Sequence, residues 1–356
     1  SCHARLRGAP AGRTATGDVH VHDPSGRLGA VARGLVFRRA TRESIAHASR
    51  PAGALFATEW VPSTGASPGA GDVSLVAGPG EAAAELLARA LEAARRIAGP
   101  ARLWISTRGA AADPDQAALW GFARVLSLEA PEIWGGIVDG DGSVPRLVPV
   151  EEEGPPTAIR PDRTYLVTGG LGALGLEVAR WLASRGARHL ALLGRNAPRD
   201  AAARCVGELE GAGVRIEVLS ADVTVREALE ATLARVRSAM PPLAGVFHLA
   251  GALDDALVAD LTPDRVRRVL APKLEGAANL DQATGSDPLD LFVLFSSAAA
   301  AVGSIGQAAY AAANAGLDAL AGRRQARGLP AGAIQWGPGA GEGMASDLSA
   351  RALASW

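Results

Sequence analysis

The sequence is poor in cysteine, and this scarcity limits the kinds of site that the chain can build. Its 356 residues include two cysteines, Cys2 and Cys205. Two cysteines so far apart give neither a disulfide framework nor clustered metal-ligand spacing, so we expect no metal site and a reducing, cytoplasmic setting. The chain also lacks an apolar run of the roughly 18 residues that a membrane span needs, and no secretory signal pattern opens it. We therefore expect no membrane association.

An excess of either charge sign is also missing. The 36 basic and 37 acidic residues give a net charge of −1, so there is no basic footprint for nucleic acid. Hydrophobic residues make up 48% and charged residues 21%, which is typical of a globular protein. The length indicates about two domains.

Lysine is almost absent. Of the 36 basic residues only Lys273 is a lysine, so the other basic residues are arginines. A lone lysine in an arginine-rich chain is a candidate for a position where a compact ammonium with a shiftable pKa is needed. The alternative is an accidental surface lysine. Tyrosine is similarly scarce, with only Tyr165 and Tyr310.

The apolar runs and turns divide the chain into three parts. Residues 1–47 are predicted to hold a strand pair, within 17–40, and linker. Residues 48–160 alternate strands with helices but have no glycine-rich loop after any strand, so they are predicted to form a smaller α/β part without a cofactor. Residues 161–356 are predicted to hold a complete strand–helix series.

The third part predicts a doubly wound, Rossmann-like parallel sheet. Apolar runs such as Leu291–Phe295 are typical of strands that are buried on both faces. The predicted strands are Thr164–Thr168, His189–Leu193, Arg215–Leu219, Gly245–Ala250, Asp290–Phe295 and Gly332–Trp336. The predicted helices are Leu174–Ser184, Ala201–Gly211, Arg226–Ser238, Thr262–Thr284 with a break at Pro272, and Gln307–Gly328. The expected fold class is α/β, with residues 48–160 as a truncated Rossmann-like half.

A glycine-rich segment joins the first strand of this part to its first helix. It contains the spacing Gly170-x-Gly172-x-x-Gly175. Such glycines let the backbone approach a pyrophosphate, and the helix N-terminus supplies N–H groups and positive potential. The alternative, a plain glycine-rich turn, is disfavoured by the flanking strand and helix. The predicted cofactor-binding residues here are Gly169, Gly170, Leu171, Gly172, Leu174 and Gly175.

The end of the second strand indicates which nicotinamide cofactor binds. An NAD site has a carboxylate about 20 residues after the glycines, but here Leu193 is followed by Gly194 and Arg195. An arginine can pair with a 2′-phosphate, so we predict NADPH; the alternative is a surface arginine. Later strand ends add further predicted cofactor-binding residues, because open α/β sheets bind ligands there. These are Asp222, Val223, His248, Ala250 and Gly251.

A second cluster of polar residues follows the fifth strand. Ser296 and Ser297 end that strand, and Tyr310 and Asn314 are spaced to share one face of the next helix. A tyrosine hydroxyl can donate a proton to a developing alkoxide, and a nearby ammonium, for which Lys273 is the only lysine, would lower its high pKa. A serine hydroxyl would bind the carbonyl oxygen. The alternative is that Tyr310 is a packed aromatic with a satisfied hydroxyl.

These motifs together resemble a known family. Residues 163–337 resemble short-chain dehydrogenases/reductases, and specifically the ketoreductase domains of modular polyketide synthases. Ordinary members carry Tyr-x-x-x-Lys, whereas this chain has Tyr310-x-x-x-Asn314 with Lys273 upstream, as polyketide and fatty-acid synthase ketoreductases do. Segment 54–150 resembles the non-catalytic structural half of these domains, but it is shorter and is predicted to lack strands near 63–72 and 140–146.

The resemblance implies a role for each residue. Tyr310 would be the general acid, Ser297, thirteen residues earlier, would bind the ketone oxygen, Lys273 would tune and orient Tyr310, and Asn314 would hold a relay water. It implies NADPH-dependent reduction of a β-ketoacyl thioester carried by the phosphopantetheine of an acyl carrier protein, within a synthase that has flanking domains. Residues 17–40 resemble the last strand pair of a dehydratase domain.

The resemblance also implies a stereochemical class. Leu253-Asp254-Asp255 matches the motif of B-type ketoreductases, which make a D-configured β-hydroxyl. The tryptophan of the A-type class is replaced by Val302, and the proline of the epimerising B subclass by Ala313, so a non-epimerising B-type is implied. An alternative role for Asp254 or Asp255 is that of a helix N-cap. The predicted substrate-guiding residues are Leu253, Asp254, Asp255, Gln307, Gly337 and Met344.

Two other functions remain as alternatives. The first is a free-standing reductase of small ketones, against which the structural half and the Tyr-x-x-x-Asn pattern argue. The second is an inactive reductase kept as a structural module, against which the complete set of Ser297, Tyr310, Asn314 and Lys273 argues.

Overall fold

The computed structural model describes residues 2–7, 14–22, 28–38, 55–63, 68–150 and 157–337. The chain divides into two compact units, residues 1–57 with 148–153 and residues 58–147 with 154–356. The domain boundaries predicted after residues 47 and 160 stay predictions. Within the described ranges, no helix has both the length and the apolar character needed to cross a bilayer.

The first unit contains a three-stranded antiparallel sheet in the order β1-β2-β3. The two predicted strands are present as β2 (Thr14–His22) and β3 (Leu28–Arg38). Strand β1 (Cys2–Arg7) pairs with β2 and was not predicted. Small apolar residues alternate with His and Arg along β1, which is the signature of a strand, but the segment is short and is followed by linker-like residues.

The smaller α/β half is built around a three-stranded parallel sheet. Strands β5 (Val73–Val76), β6 (Leu103–Thr107) and β7 (Trp134–Asp139) pair in that order. Helices α1 (Ala83–Arg96) and α2 (Pro114–Glu129) connect them, as the alternating sequence predicts. Helix α2 starts at an N-cap, because the Asp113 side chain accepts hydrogen bonds from two backbone N–H groups of the first turn.

One prediction for this half is wrong. No strand was expected near 140–146, yet β8 (Ser143–Val150) pairs with β4 (Leu55–Pro62) in a two-stranded sheet. The two prolines in this stretch argued against a strand. An edge position tolerates proline because one side of the strand needs no N–H donor.

The larger half is the predicted doubly wound sheet. Its six strands run parallel in the order β11-β10-β9-β12-β13-β14. They are β9 (Thr164–Thr168), β10 (His189–Gly194), β11 (Arg215–Ser220), β12 (Leu243–His248), β13 (Leu291–Ser297) and β14 (Gly332–Trp336). The strand order reverses between β10 and β12, beside β9, so the carboxyl end of β9 is the switch point at which such sheets bind ligands.

Helices cover both faces of this sheet. They are α3 (Ala173–Ser184), α4 (Asp200–Gly211), α5 (Arg226–Ala239), α6 (Pro263–Leu270), α7 (Gly276–Ala283), α8 (Ala299–Val302) and α9 (Ala308–Ala326). Because strand side chains alternate, Tyr165 and Val167 pack against α3 and α4, while Leu166 belongs to the core formed with α5, α7 and α9.

The two halves share one hydrophobic core across α2 and α9. Residues of both helices, including Phe122 and Ala312, belong to the same buried cluster. The backbones lie so close that a Cβ on Gly121 would be 2.7 Å from the backbone nitrogen of Ala312. The smaller half therefore supports α9, the helix that carries Tyr310 and Asn314.

Candidate active site

The glycine-rich segment after β9 forms a tight loop that is closed to side chains. Gly169 has a φ of +66°, in the left-handed region. A Cβ on Gly170 would lie 2.6 Å from the carbonyl oxygen of Val167, and one on Gly175 would lie 2.6 Å from the Cα of Gly170. This is the conformation in which a backbone can approach a phosphate group.

The loop continues directly into α3. The N-cap of that helix is Gly172, so no side chain takes the N–H groups of the first turn, and these groups and the helix dipole favour an anion. Leu171 packs on the core beside Gly194, while Leu174 is 48% exposed. The residues present therefore fit the pyrophosphate of a dinucleotide.

Arg195 and Asp222 lie near each other beyond the ends of β10 and β11. Arg195 is exposed and forms no ion pair with any residue in the described ranges. Partial burial raises the pKa of Asp222, but the hydrogen bonds from the N–H and hydroxyl of Thr224, together with Arg195, outweigh it and hold this pKa below its usual value. A free guanidinium and an ionised carboxylate thus flank this end of the sheet.

The position of Val223 is fixed by a residue that the sequence analysis did not identify. The side-chain amide of Asn279, on α7, donates to the carbonyl oxygens of Val223 and Thr224 at 2.9 and 3.2 Å. A Cβ on Gly276, one turn earlier, would lie 2.6 Å from a methyl of Val223. No local motif marks Asn279, because its partners are more than 50 residues away.

His248 is held inside the protein. Its Nε2 lies 2.9 Å from the carbonyl oxygen of Lys273, which can only accept, so Nε2 carries the proton. Its Nδ1 then accepts from the hydroxyl of Thr168 at 2.7 Å. Burial lowers the pKa of His248 to about 4, so the ring is neutral. Both ring nitrogens are used by the protein, and a contact of His248 with a cofactor stays a prediction.

Lys273 is buried, with 2% of its surface exposed. It lies in a π-helical turn, Ala271–Glu275, between α6 and α7, where the break at Pro272 was predicted. Its Nζ donates to the carbonyl oxygen of Phe295 at 2.8 Å and to Oδ1 of Asn314 at 2.9 Å. Burial lowers its pKa to about 8. The lone lysine is therefore not a surface residue.

Tyr310 and Asn314 lie on the inner face of α9, next to the ammonium of Lys273. The Nζ of Lys273 lies 5.3 Å from the centroid of the Tyr310 ring, and the side-chain amide of Asn314 donates to the carbonyl oxygen of Tyr310 at 2.8 Å. The expectation of a lowered tyrosine pKa is wrong for this structure. Burial raises the pKa of Tyr310 and outweighs the opposite effect of the nearby Ser297 and Asn314 side chains.

The two serines at the end of β13 point to different groups. The Ser297 side chain lies close enough to Tyr310 to oppose the rise in the tyrosine pKa, and its Oγ accepts from the backbone N–H of Ala299. Ser296 is buried and donates to the backbone carbonyl of Asn314 at 3.2 Å. Strand alternation thus brings Ser297, and not Ser296, to the tyrosine hydroxyl.

Two further residues belong to this cluster. Asp318 continues the helical spacing of Tyr310 and Asn314; one oxygen accepts from Gln335 at 2.7 Å, while the buried Oδ1 has no partner. Burial raises the pKa of Asp318 to about 6. Gly251 provides space, since a Cβ there would lie 3.2 Å from the Lys273 side chain. In the sequence, Asp318 could have been recognised because it lies four residues after Asn314, on the same helix face as Tyr310.

The segment after β12 holds the predicted substrate-guiding acids. Asp254 accepts hydrogen bonds from Arg265 at 2.8 Å and Arg268 at 2.6 Å. The N-cap alternative is wrong, because the short 3₁₀ turn at Val258–Asp260 has Leu257 as its N-cap. Asp254 is instead fixed by two arginines.

Asp255 faces the loop that leads into α9. Its Oδ2 accepts from the Gln307 side chain at 3.1 Å, and partial burial raises its pKa. Leu253, two residues before Asp255, is partly buried. Gly337, which follows β14, is exposed. Met344 lies outside the described residues. Within those residues, no three His, Cys, Asp or Glu side chains converge as metal ligands.

Comparison with known proteins places these features in one family. The family model described as the KR domain matches residues 163–341. Polyketide synthase GfsA of Streptomyces halstedii is 42% identical over 288 residues, which are 69% of this chain and 4% of that protein. This chain spans between 4% and 18% of the length of the first curated relatives that it matches.

Solved structures show the same similarity over more of the chain. The ketoreductase from the first module of phoslactomycin biosynthesis in Streptomyces sp. HK803 is 34% identical, with a TM-score of 0.71, and the match covers 80% of this chain and 73% of that one. An A1-type ketoreductase is 32% identical, with a TM-score of 0.70 and coverage of 84% and 86%. The chain therefore belongs to the ketoreductase (KR) domains of modular polyketide synthases, a family of oxidoreductases.

Proposed function

We propose that this ketoreductase domain uses NADPH to reduce a β-ketoacyl thioester to the D-β-hydroxyacyl thioester. The observation that carries the proposal is the convergence of Ser297, Tyr310, Asn314 and Lys273 at the carboxyl end of the sheet. Lys273 donates to Asn314, Asn314 donates to the backbone of Tyr310, and Ser297 acts on the tyrosine side chain. The glycine loop that fits a dinucleotide follows β9, in the same sheet.

The chemistry follows from the positions of these groups. When bound, the nicotinamide cofactor supplies the hydride that reduces the ketone carbon. The Ser297 hydroxyl donates a hydrogen bond to the ketone oxygen, and Tyr310 transfers its proton to that oxygen as the C–O bond becomes single. The raised pKa of Tyr310 keeps the phenol protonated before the reaction.

Lys273 acts on Tyr310 after the proton has left. Its ammonium lies 5.3 Å from the tyrosine ring and stabilises the phenolate by charge, and Asn314 fixes the ammonium through its Oδ1. The lowered pKa of about 8 also makes this ammonium a ready proton donor for restoring the phenol.

Arg195 supports the choice of NADPH. It is exposed at the end of β10, where a carboxylate would favour NAD, and it has no ion partner among the described residues. We expect the ratio of kcat/KM for NADPH over NADH to fall about tenfold or more in Arg195→Ala, because a charge-assisted hydrogen bond to the 2′-phosphate is lost. Arg199→Ala, an exposed arginine four residues on, is the matched control, and an unchanged ratio in Arg195→Ala would assign the preference to another group.

The D configuration is supported by the Leu253-Asp254-Asp255 motif and by Val302 in place of a tryptophan. Asp254 and Asp255 are held by Arg265, Arg268 and Gln307, which gives the motif a defined conformation. Some similar solved structures are A-type ketoreductases, so the configuration of the product must be measured.

The carrier and the surroundings are part of the proposal. The curated relatives are polyketide synthases much longer than this chain, which supports flanking domains and delivery of the substrate by an acyl carrier protein. Residues 1–47 would then be the end of a preceding dehydratase domain.

The experiment is to follow NADPH oxidation with a β-ketoacyl thioester and to determine the configuration of the product by chiral chromatography. We expect turnover to a D-β-hydroxyacyl product, with a weaker response to simple ketones of the same length. Faster reduction of simple ketones would favour a free-standing ketone reductase. Tight NADPH binding without reduction of either substrate would favour an inactive module.

A further inference from the structure

One carboxylate of the smaller half joins two loops of the larger half. Glu129 is the last residue of α2, and its Oε1 accepts from the backbone N–H of Gly306 at 2.6 Å. Its Oε2 accepts from the backbone N–H of Val258, also at 2.6 Å. Each oxygen therefore binds a different loop, 177 and 129 residues away in the sequence.

These two loops carry the residues proposed to guide the substrate. The loop that contains Val258 follows the Leu253-Asp254-Asp255 segment. The loop that contains Gly306 leads through Gln307 into α9, the helix of Tyr310. They also touch each other directly: the N–H of Ala256 donates to the carbonyl of Gly306 at 2.8 Å, and the Gln307 amide donates to Asp255.

Glu129 lies outside both loops and binds each of them, whereas Arg265 and Arg268 hold only the Asp254 loop. Gly306 has a φ of +81°, which fixes the direction of its N–H and suits glycine only. Apart from one isolated bridge between Ala256 and Gln307, the paired segments have no regular sheet structure. The two hydrogen bonds from the Glu129 carboxylate therefore hold both loops to the end of α2, in addition to the direct contacts between the loops.

We propose that Glu129 is a positioning residue for the substrate, which sets the spacing of the Asp255 and Gln307 loops and thereby the face of the ketone that is presented. The proposal rests on the β-ketoacyl reductase function proposed above. It gives the non-catalytic half a direct part in substrate orientation, through the backbone of the two loops and not through contact with the reacting atoms.

The test compares Glu129→Gln with Glu132→Gln. Glutamine keeps the size of the side chain but leaves one N–H group without its acceptor, whereas Glu132 is exposed in the same half and its substitution makes the same change in charge. The measurements are the KM and kcat with a β-ketoacyl thioester, the ratio of the two product enantiomers, NADPH affinity, and hydrogen exchange of the segments 253–258 and 303–307.

We expect Glu129→Gln to raise KM about tenfold or more, to erode the enantiomer ratio, and to speed exchange in both segments together, with NADPH affinity unchanged. Glu132→Gln should match the wild type. An unchanged enantiomer ratio and unchanged exchange in Glu129→Gln would overturn the proposal, as would a lower melting temperature with no other change. Turnover of the wild-type protein with the β-ketoacyl thioester tests the proposed function. Hydrogen exchange tests the constraint on the loops, and it can be measured even in a protein that shows no turnover.

Discussion

A single buried ammonium is the charge on which the proposed chemistry depends. Lys273 is held by two acceptors, the Phe295 carbonyl and the Asn314 amide oxygen, and no carboxylate hydrogen-bonds to it among the described residues. The charge of Asp318 favours the ammonium without hydrogen-bonding to it, so the two neutral acceptors and the shape of the site fix its position. That shape includes Gly251, which leaves room for the lysine stem.

We predict that Lys273→Arg fails although it keeps the charge. The planar guanidinium is larger than the ammonium and cannot form the same two hydrogen bonds in this space. Turnover should fall about 10²–10⁴-fold in both Lys273→Arg and Lys273→Met, with little change in NADPH affinity. Arg96→Lys, at a side chain that is 75% exposed, is the control for exchanging these two residue types. Wild-type turnover in Lys273→Arg would remove this lysine from the mechanism.

Asp318 gives a prediction about pH and stability. Its folded pKa of about 6 lies above the ordinary value of 3.8, so between these two values the folded state binds more protons and stability falls as pH rises. Asp318→Asn removes this loss of stability, which amounts to about 3 kcal/mol between pH 3.8 and about pH 6. His248, with a folded pKa of about 4, acts in the opposite direction over an overlapping range.

The measurement is the free energy of unfolding by denaturant at several pH values from 4 to 7, in the wild type, in Asp318→Asn and in Asp260→Asn, an exposed aspartate. We expect the stability of Asp318→Asn to rise relative to the wild type as pH increases. Parallel curves for the two proteins would mean that Asp318 titrates normally.

At the scale of elements, the packing of α2 against α9 sets the position of Tyr310. We predict that Gly121→Ala separates these helices, because the added Cβ would lie 2.7 Å from the backbone nitrogen of Ala312. Stability should fall by about 1–3 kcal/mol, and kcat should fall more than KM rises. Thermal unfolding and steady-state kinetics test this.

Gly207→Ala is the matched control for that substitution. Gly207 lies inside α4, and a Cβ there meets nothing within 4 Å. The control should be stabilised by up to about 1 kcal/mol, since alanine favours a helix over glycine. Equal effects of the two substitutions would show that the contact between α2 and α9 does not matter.

Elements with a strong periodic pattern could be predicted from the sequence, and the others could not. Apolar runs and helical spacing indicate the buried strands and the helices, as β13 in the larger half and α2 in the smaller half show. Strands β1, β4 and β8 were not predicted, because they are short or contain proline and are defined by their pairing partners. Partners far away in the chain leave no local signal.

The same division applies to the site. Tyr310, Asn314 and the glycine loop lie in compact motifs, and Ser297 was placed by its distance from Tyr310. Glu129 and Asn279 act on backbone groups 55 to 177 residues away, so no spacing could identify them. The sequence also could not give the direction of the Tyr310 pKa shift, because that depends on how deeply the packed site is buried.

At the scale of the whole molecule, we predict that the first 47 residues are dispensable for reduction. None of the groups in the proposed site lies in them, so a chain that begins near Leu55 should keep its turnover and product configuration. A chain that begins at residue 68 also loses Trp60, whose ring lies 5.0 Å from that of Trp120 in α2, and should melt at a lower temperature. Loss of activity in the longer, folded chain would contradict this prediction.

The solitary lysine has a practical consequence for studying the molecule. Because the chain has one side-chain amine and that amine is buried, amine-acylating reagents find no exposed lysine on its surface. The rate at which Lys273 is acylated then measures how often the interior opens, so this reaction can be used to follow unfolding. Nitrogen labelling of the lysine side chain likewise yields a single Nζ resonance, so nuclear magnetic resonance can follow this one amine through titration and cofactor binding without assignment of the rest.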